Sequence, residues 1–370
     1  MAEIIRGCVL TPEGWVRGAV HFSTRIEEIT GEPVAAPGAG EARILPGFID
    51  LHVHGGGGRD VMEGDGAIDT IARLHASHGT TSLLATTMTD TRARIEHALS
   101  DVRRALDARP AGAARVLGVH LEGPFISPRR LGAQPAETRP GTLEEVFALH
   151  RLAAIRVLTL APETAGHLEL IGALRAAGIR PQVGHTVGTY EEGVAAIRAG
   201  TSGFTHLFNA MVGFHHREPG MVGAALAHAD YAELIPDLLH VHPGAIRAAC
   251  RAIPHLYCVT DSTAGAGMPD GDYFLGAQPV TKCMGGVRLA DGTLAGSVLT
   301  MDQAVRNLVQ IGLPLDDAAR RASTFPADYL GERERGRLRA GAWADIAVMD
   351  DALRLTAVFV EGEQTALAPV

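Results

Sequence analysis

The sequence predicts an α/β protein: a (β/α)8 TIM-type barrel carrying a small β-sandwich domain built from both termini. Three observations carry that expectation. From Arg43 onward, short β-rich apolar runs alternate with longer Ala/Leu/Arg segments of helical period. Eight such strands are complete by Asp261 in the run CVTDS, and βα alternation of that length implies parallel strands, right-handed crossovers and a closed barrel. The two ends of the chain read differently, as short alternating strands that suit pairing with each other.

Residues 4–10, 14–23 and 25–30 read as strands, followed by the Pro/Ala/Gly linker EPVAAPGAGEA. The barrel then begins with strand ILPGFIDLHV, a helix near 66–78, strand TTSLLATT, a helix near 91–108 and strand RVLGVHLEG. It continues with strand IRVLTLAP, helix 166–177, strand RPQVGHT, helix 190–199 and strands SGFTHLF and AELIPDLLHV. Helix 243–252 and strand LYCVTD complete the set. A long loop follows Asp261, then helices near 300–311 and 315–322. The end, GRLRAGAWADIAVMDDALRLTAVFVEGE, returns to short strands. The expected division is therefore 1–45 with 337–370 in the small domain and 46–336 in the barrel.

Composition narrows the function. A net charge of −9 with no strongly basic stretch argues against a nucleic-acid partner. No apolar run approaches the ~18 residues of a membrane span, and MAEIIRGCVLTPEG has no leader pattern, so a cytoplasmic protein is expected. Cys8, Cys250, Cys258 and Cys283 lack C-x-x-C spacing and read as free thiols. Of 33 basic residues only Lys282 is a lysine, which bars any mechanism needing one elsewhere.

The chemistry begins in PGFIDLHVHGGGG. Strand alternation puts His52 and His54 on one face at a strand end, where two imidazoles invite a metal ion, although H-x-H also closes ordinary strands. The other strand ends add Glu122 in HLEGPF, His185 in QVGHT, His206 in FTHLFNAM, His240 in DLLHVHP and Asp261 in CVTDS. Strand C-termini are where barrel active sites sit. Taken singly these are ordinary residues; taken together they are nitrogen and carboxylate donors suited to Zn²⁺ or Fe²⁺. Gly55–Gly58 has no following Gly-Lys-Ser/Thr, so it is no phosphate loop; it reads as backbone that approaches metal or substrate closely. His75, His78, His97 and His150 fall on helices and read as solvated or packed.

PGFIDLHVHG, HLEGPFISP, VGHT, THLFNAM, HREPG, VTDS and LAGS occur in an order that resembles the N-acetylglucosamine-6-phosphate deacetylases of the amidohydrolase superfamily. The resemblance spans nearly the whole chain. It implies a (β/α)8 barrel, a small β-sandwich, a homodimer, one or two divalent metal ions (Zn²⁺ or Fe²⁺) and hydrolysis of the N-acetyl group of a small phosphorylated amino sugar. By resemblance, Glu122, His185 and His206 hold the metal common to the family, and His52 and His54 keep a second site available with Glu122 as its bridge. Asp261 resembles the catalytic acid/base. Ala133, Gln134, Asn209, Ala210, Arg217, Asp237, His240, Leu294, Ala295 and Gly296 resemble the substrate-binding positions. Arg217 and His240 are expected on the 6-phosphate, with Arg217 supplied across the dimer. The family's D-G-x-H reads Asp237-Leu238-Leu239-His240, a leucine in place of glycine. Lys282 lies beyond the eighth strand and is badly placed for the carboxylated lysine that many superfamily relatives use.

The glucosamine and galactosamine epimers differ by one hydroxyl orientation, which leaves no motif, so both stay open. Two further rivals are a metal amidohydrolase of a different amide, such as an N-acyl amino acid or a cyclic imide, and a catalytically dead barrel that only binds. The phosphate-type residues oppose the first. A dead barrel would be expected to lose ligands or Asp261, and all are present.

Overall fold

Eight parallel strands surround the core of the computed structural model, which describes residues 3–368; the outermost residues of the expected terminal domain, 1–2 and 369–370, lie outside the described residues. Six of the strands form one continuous ladder: Phe48–Val53, Thr80–Thr87, Arg115–Glu122, Ile155–Leu160, Arg180–Val183 and Gly203–Phe204. The seventh and eighth, Tyr231–Leu234 and His255–Cys258, pair with each other. Closure is made by short links just beyond the strand ends. Leu207 N donates to the Glu233 carbonyl at 2.8 Å, and a parallel bridge joins Val53 to Ser262. The first strand is buried along its whole length, as a strand covered on both faces must be.

Helices pack outside this ring because their apolar residues recur on one face. Arg92–Asp107 buries Ile95, Ala98, Leu99, Val102 and Ala105 and leaves its arginines in water. Tyr190–Ala199 starts at a capping box, with Thr189 and Glu192 satisfying each other's backbone N–H groups.

Several segments depart from expectation. Helix Leu143–Leu152 lies between strands that read as adjacent, although Thr142 accepts from Glu145 N in the T-x-x-E arrangement that signals a helix start. Helix Gly220–His228 begins on one glycine, contains a second at Gly223 and has no clear polar face, so its periodicity is weak. Helix Thr324–Leu330 is a third addition. The long loop after Asp261 contains a three-stranded antiparallel sheet, Gly271–Leu275, Gln278–Cys283 and Gly286–Arg288, whose turn glycines and Pro279 masked the strands. The third N-terminal strand runs to Val34, into the expected linker, and the sixth barrel strand shrinks to two residues.

The terminal segments form one seven-stranded sheet in which Arg43–Pro46 joins the N-terminal strands to Ile346–Met349 and Leu355–Val360. It curls over a core of its own, including Val9, Val20, Ile44, Leu338 and Ile346. Phe22 and Phe359 sit in strands four places apart in the sheet, yet their rings meet edge to face at 5.1 Å. The sheet thus closes on itself in a sandwich-like section.

Glu361 fastens this sheet to the barrel. It accepts from Arg115 at 2.8 and 2.7 Å, from Arg335 at 2.5 Å and from Arg109 at 3.2 Å. Burial pushes its carboxyl up, but Arg115 and Arg335 outweigh that and hold it at about 2. Because its folded pKa is depressed, the stability it contributes is present above the ordinary carboxylate range and is lost as pH falls toward 2. Glu361→Gln should lower stability by about 3 kcal/mol, the lower end for a buried pair losing a partner, since Asp345 remains for Arg335. Chemical denaturation at pH 7 measures the loss. The difference between variant and wild type should shrink as pH drops from 4.5 to 2; a constant difference would refute the electrostatic account.

Candidate metal centre and substrate pocket

Glu122 ends the third barrel strand, and its two oxygens face different histidine pairs. Oε1 lies 3.1 Å from His185 Nε2 and 3.0 Å from His206 Nε2. Oε2 lies 3.1 Å from His54 Nε2 and 3.5 Å from His52 Nε2. Alternation in the first strand brings His52 and His54 together as the sequence implied, with Nε2 atoms 3.2 Å apart. Asp261 stands over the second pair, its Oδ1 3.3 Å from His54 Nε2 and 3.5 Å from His52 Nε2.

These donors fit a divalent cation. His185 Nδ1 lies 2.9 Å from the Arg130 carbonyl and His52 Nδ1 lies 2.9 Å from Glu233 Oε2. Both partners are acceptors, so each Nδ1 carries a proton and, in the neutral ring, each Nε2 turns a lone pair inward. Lone pairs and carboxylate oxygens crowded at about 3 Å repel unless a positive charge joins them. In the metal-free chain protons serve that purpose. Burial pushes His54 down, but Asp261 and Glu122 outweigh it and raise it to about 9. His52 is likewise held well above its ordinary value against burial, chiefly by Glu122. Glu122 and Asp261 are both held below theirs against burial, His52 being the largest opposing influence on each. The groups Glu122–His185–His206 and His52–His54–Glu122 each have ligand atoms within 4.8 Å of one another.

Backbone conformation aims these residues. His185, His206 and Asp261 have φ of 48°, 29° and 50°, in the left-handed region that non-glycine residues enter at a cost of about 1–3 kcal/mol. Such strain at three strand ends is tolerated because the surrounding barrel fixes it. Asp261 N, for example, donates to the His52 carbonyl at 2.9 Å, and its own carbonyl accepts from Ser297 N at 2.7 Å.

The cluster floors a pocket of about 430 Å³. His54, Glu122, Ala133, Gln134, His185, His206, Asn209, Ala210, His240, Asp261, Leu294 and Gly296 all line it. Gln134 holds the floor as well as lining it: its amide donates to Glu122 Oε2 at 2.6 Å and its carbonyl accepts from Thr89 N at 2.7 Å. His52 lies beneath, fully buried.

Three expected substrate-binding residues also fall outside the lining. Ala295 is fully buried, with its N–H donated to the Val287 carbonyl. Asp237 sits behind His240, accepting from its Nδ1 at 2.6 Å and from the N–H groups of Leu239 and His240. Arg217 is exposed and bonded to His216 Nε2, away from its own chain's pocket. Leu238 sits at φ 66°, the conformation a glycine would take freely, and the Asp237 turn holds it there.

The glycine run also differs from expectation. A Cβ on Gly55 would come within 2.6 Å of the Ala264 backbone and one on Gly56 within 2.5 Å of Leu74. The glycines allow close packing against residues 262–266 and the first helix, and they do not line the pocket. His75, buried below them, bonds the Gly55 carbonyl at 3.1 Å. Lys282 Nζ donates to the Gly265 and Met268 carbonyls, outside the cluster. The four cysteines are free.

Sequence reasoning missed Arg129, Arg130 and Arg288 in the lining, and Glu233 behind His52. The two former adjoin LGAQP, a usable signal. Arg288 and Glu233 are brought in by the fold alone.

Residues 43–366 match the amidohydrolase family model. The chain belongs to the amidohydrolase family. The amidohydrolase is 38% identical to an N-acetylgalactosamine-6-phosphate deacetylase of Escherichia coli O157:H7, over 98% of this chain and 99% of the relative. It is 39% identical to an N-acetylglucosamine-6-phosphate deacetylase of Bacillus subtilis, over 88% of this chain and 84% of the relative. A mutant N-acetyl-D-glucosamine-6-phosphate deacetylase from Mycobacterium smegmatis, solved in complex with N-acetyl-D-glucosamine-6-phosphate, superposes with a TM-score of 0.91 at 34% identity, covering 99% of both chains.

A ligating imidazole must be neutral, and His52 and His54 are both held above their ordinary values, so a cation there competes with protons. Loading chelator-stripped protein with Zn²⁺ at pH 7 should therefore release protons, and affinity should fall as pH drops. Titration calorimetry in buffers of different ionisation enthalpy counts them. Metal uptake without proton release would show that the histidines are already neutral.

Proposed function

We propose that this amidohydrolase hydrolyses the N-acetyl group of N-acetylglucosamine 6-phosphate, giving glucosamine 6-phosphate and acetate. The observation that carries this reading is one pocket with a metal-type floor and a basic rim, in which ionised Asp261 faces the cluster and His240 lies at the edge. The relatives named above support it. A divalent ion held by Glu122, His185 and His206, with His52 and His54 for a second, would supply Lewis acidity and an activated water; Zn²⁺ or Fe²⁺ suits these donors.

Asp261 is the group to accept the attacking water's proton and to return it to the leaving amine, since an amide anion is too basic to depart unprotonated. Burial lowers His240, but the Asp237 hydrogen bond outweighs it and raises the imidazole above its ordinary value, which favours a cation facing phosphate. Ala133, Asn209, Ala210, Leu294 and Gly296 border the space for the sugar. Arg217 is exposed and does not line its own chain's pocket, which supports a homodimer in which it completes the partner's site. The division 1–45 with 337–370 and 46–336 separates the terminal sheet from this chemistry. A phosphorylated substrate, which does not cross membranes freely, and free thiols support a cytoplasmic setting.

The galactosamine epimer is the second reading, favoured by the full-length similarity to the Escherichia coli relative. Acetate release should be fastest from N-acetylglucosamine 6-phosphate, slower from the epimer and slowest from the unphosphorylated sugar. Reversal of the first two assigns the enzyme to the epimer. Asp261→Asn should lower kcat by on the order of 10²–10⁴-fold while leaving metal content near normal. A near-normal rate would remove Asp261 from the proton transfer.

Arg217→Ala should weaken the phosphorylated substrate by roughly 10–150-fold, from about 1.5–3 kcal/mol for a charge-assisted contact. Mixing Arg217→Ala with Asp261→Asn protein tests the shared site. A heterodimer then holds one pocket with intact Asp261 and an intact arginine in trans. Recovered activity supports sharing; no recovery despite demonstrated subunit exchange places the arginine within its own chain.

A further inference from the structure

Glu233 is a fully buried carboxylate in the seventh barrel strand that the reaction above does not use. An ionised carboxylate inside a protein needs hydrogen bonds and a positive partner. Among the described residues no arginine or lysine pairs with it; its ion-pair contacts are both to histidines. His120 is a weak candidate for that charge, because its Nδ1 lies 3.0 Å from the Leu51 carbonyl and its Nε2 2.7 Å from Thr159 Oγ1, leaving it 3.7 Å from Glu233. His52 is different. Its Nδ1 lies 2.9 Å from Glu233 Oε2, and its Nε2 faces Glu122, His54 and Asp261. The same Oε2 accepts the backbone N–H of His206 at 3.2 Å. Glu233 Oε1 takes the Tyr257 hydroxyl at 3.4 Å, and that hydroxyl also receives the Gln182 amide at 2.8 Å.

From this placement we infer that Glu233 is a positioning residue: it fixes the Nδ1–H tautomer of His52, makes Nε2 the stronger donor, and so builds the His52–His54 side of the cluster into a cation site. The inference rests on the reading of His52 and His54 as ligands. Its physical basis is general. A carboxylate behind a ligating imidazole sets the tautomer and ring orientation and raises basicity, and removing such a partner typically costs about 10–100-fold in metal affinity. Glu233, His52 and His120 also cluster closely enough to suggest an ion of their own. Both His120 nitrogens and His52 Nδ1 are already bonded within the protein, so the group acts as a support and not as a third site.

Co²⁺ titration of the chelator-stripped full-length protein, followed by calorimetry and visible absorption, tests the inference. Wild type should bind two ions per chain, the weaker on the His52–His54 side. Glu233→Gln keeps an oxygen for His52 and for the His206 N–H but loses the charge; its weaker site should lose about 10-fold in affinity, with the tighter site unchanged within about threefold. Glu233→Ala removes the acceptor, and its weaker site should lose about 100-fold, more than the tighter site loses. Graded loss confined mainly to the weaker site, with partial rescue by Gln, supports positioning. Equal weakening of both sites, or unchanged affinity at the weaker site in both variants, overturns it while leaving the two-ion reading intact. A single Co²⁺ in wild type overturns the second site and the role of Glu233 together.

Discussion

Everything at the barrel mouth depends on one buried carboxylate. Glu122 turns one oxygen to His185 and His206 and the other to His52 and His54, so four histidines from three other strand ends converge on it. A carboxylate in this position is costly to bury and is tolerated only with positive charge around it. The demand is met by protons in the bare chain and would be met by a divalent cation in the working one. The low-dielectric wall of the barrel makes the demand steep. In a chain with one lysine, tied to two loop carbonyls, this glutamate is also the group able to span both histidine pairs.

The floor is held from below by a barrel interior that is unusually polar. His120 meets Thr159, Thr159 meets Thr205, and Thr205 meets Gln182, with oxygen and nitrogen separations of 2.7–2.8 Å. Gln182 then reaches Tyr257 and Tyr329. Such a network is worth having only when its members are satisfied, because an unpaired polar group there costs about as much as a lost hydrogen bond. Its value is stiffness. Ligands carried on separate strands keep their spacing because the side chains beneath them cannot rearrange one at a time.

The rim is built differently. Asp237 fixes His240 through a tight turn, with Leu238 at positive φ, and the sheet of residues 271–288 brings Arg288 over the pocket. These are loops carried by a rigid scaffold, the usual division between catalytic floor and substrate-reading edge in barrels of this type. Arg217 does not line the pocket of its own chain, whereas Arg129, Arg130 and Arg288 do.

Local pattern in the chain was enough for the barrel, the terminal sheet and the metal-type cluster, because each rests on a period or on a strand end. His52 and His54 follow from alternation, and Glu122, His185, His206 and Asp261 mark the ends of apolar runs. That pattern did not disclose helix Gly220–His228 or the sheet of residues 271–288, where glycines and a proline blur the period. Nor did it show that Ala295 is buried outside the lining, that Gly55–Gly58 packs against backbone and not ligand, or that Gln134 braces Glu122. Glu233 was legible as one more residue of a buried strand. Its place behind His52, 181 positions away in sequence, came from barrel closure, which brings the seventh strand's interior face against the first. Periodicity fixes which way a side chain points; only the closed ring fixes what it meets.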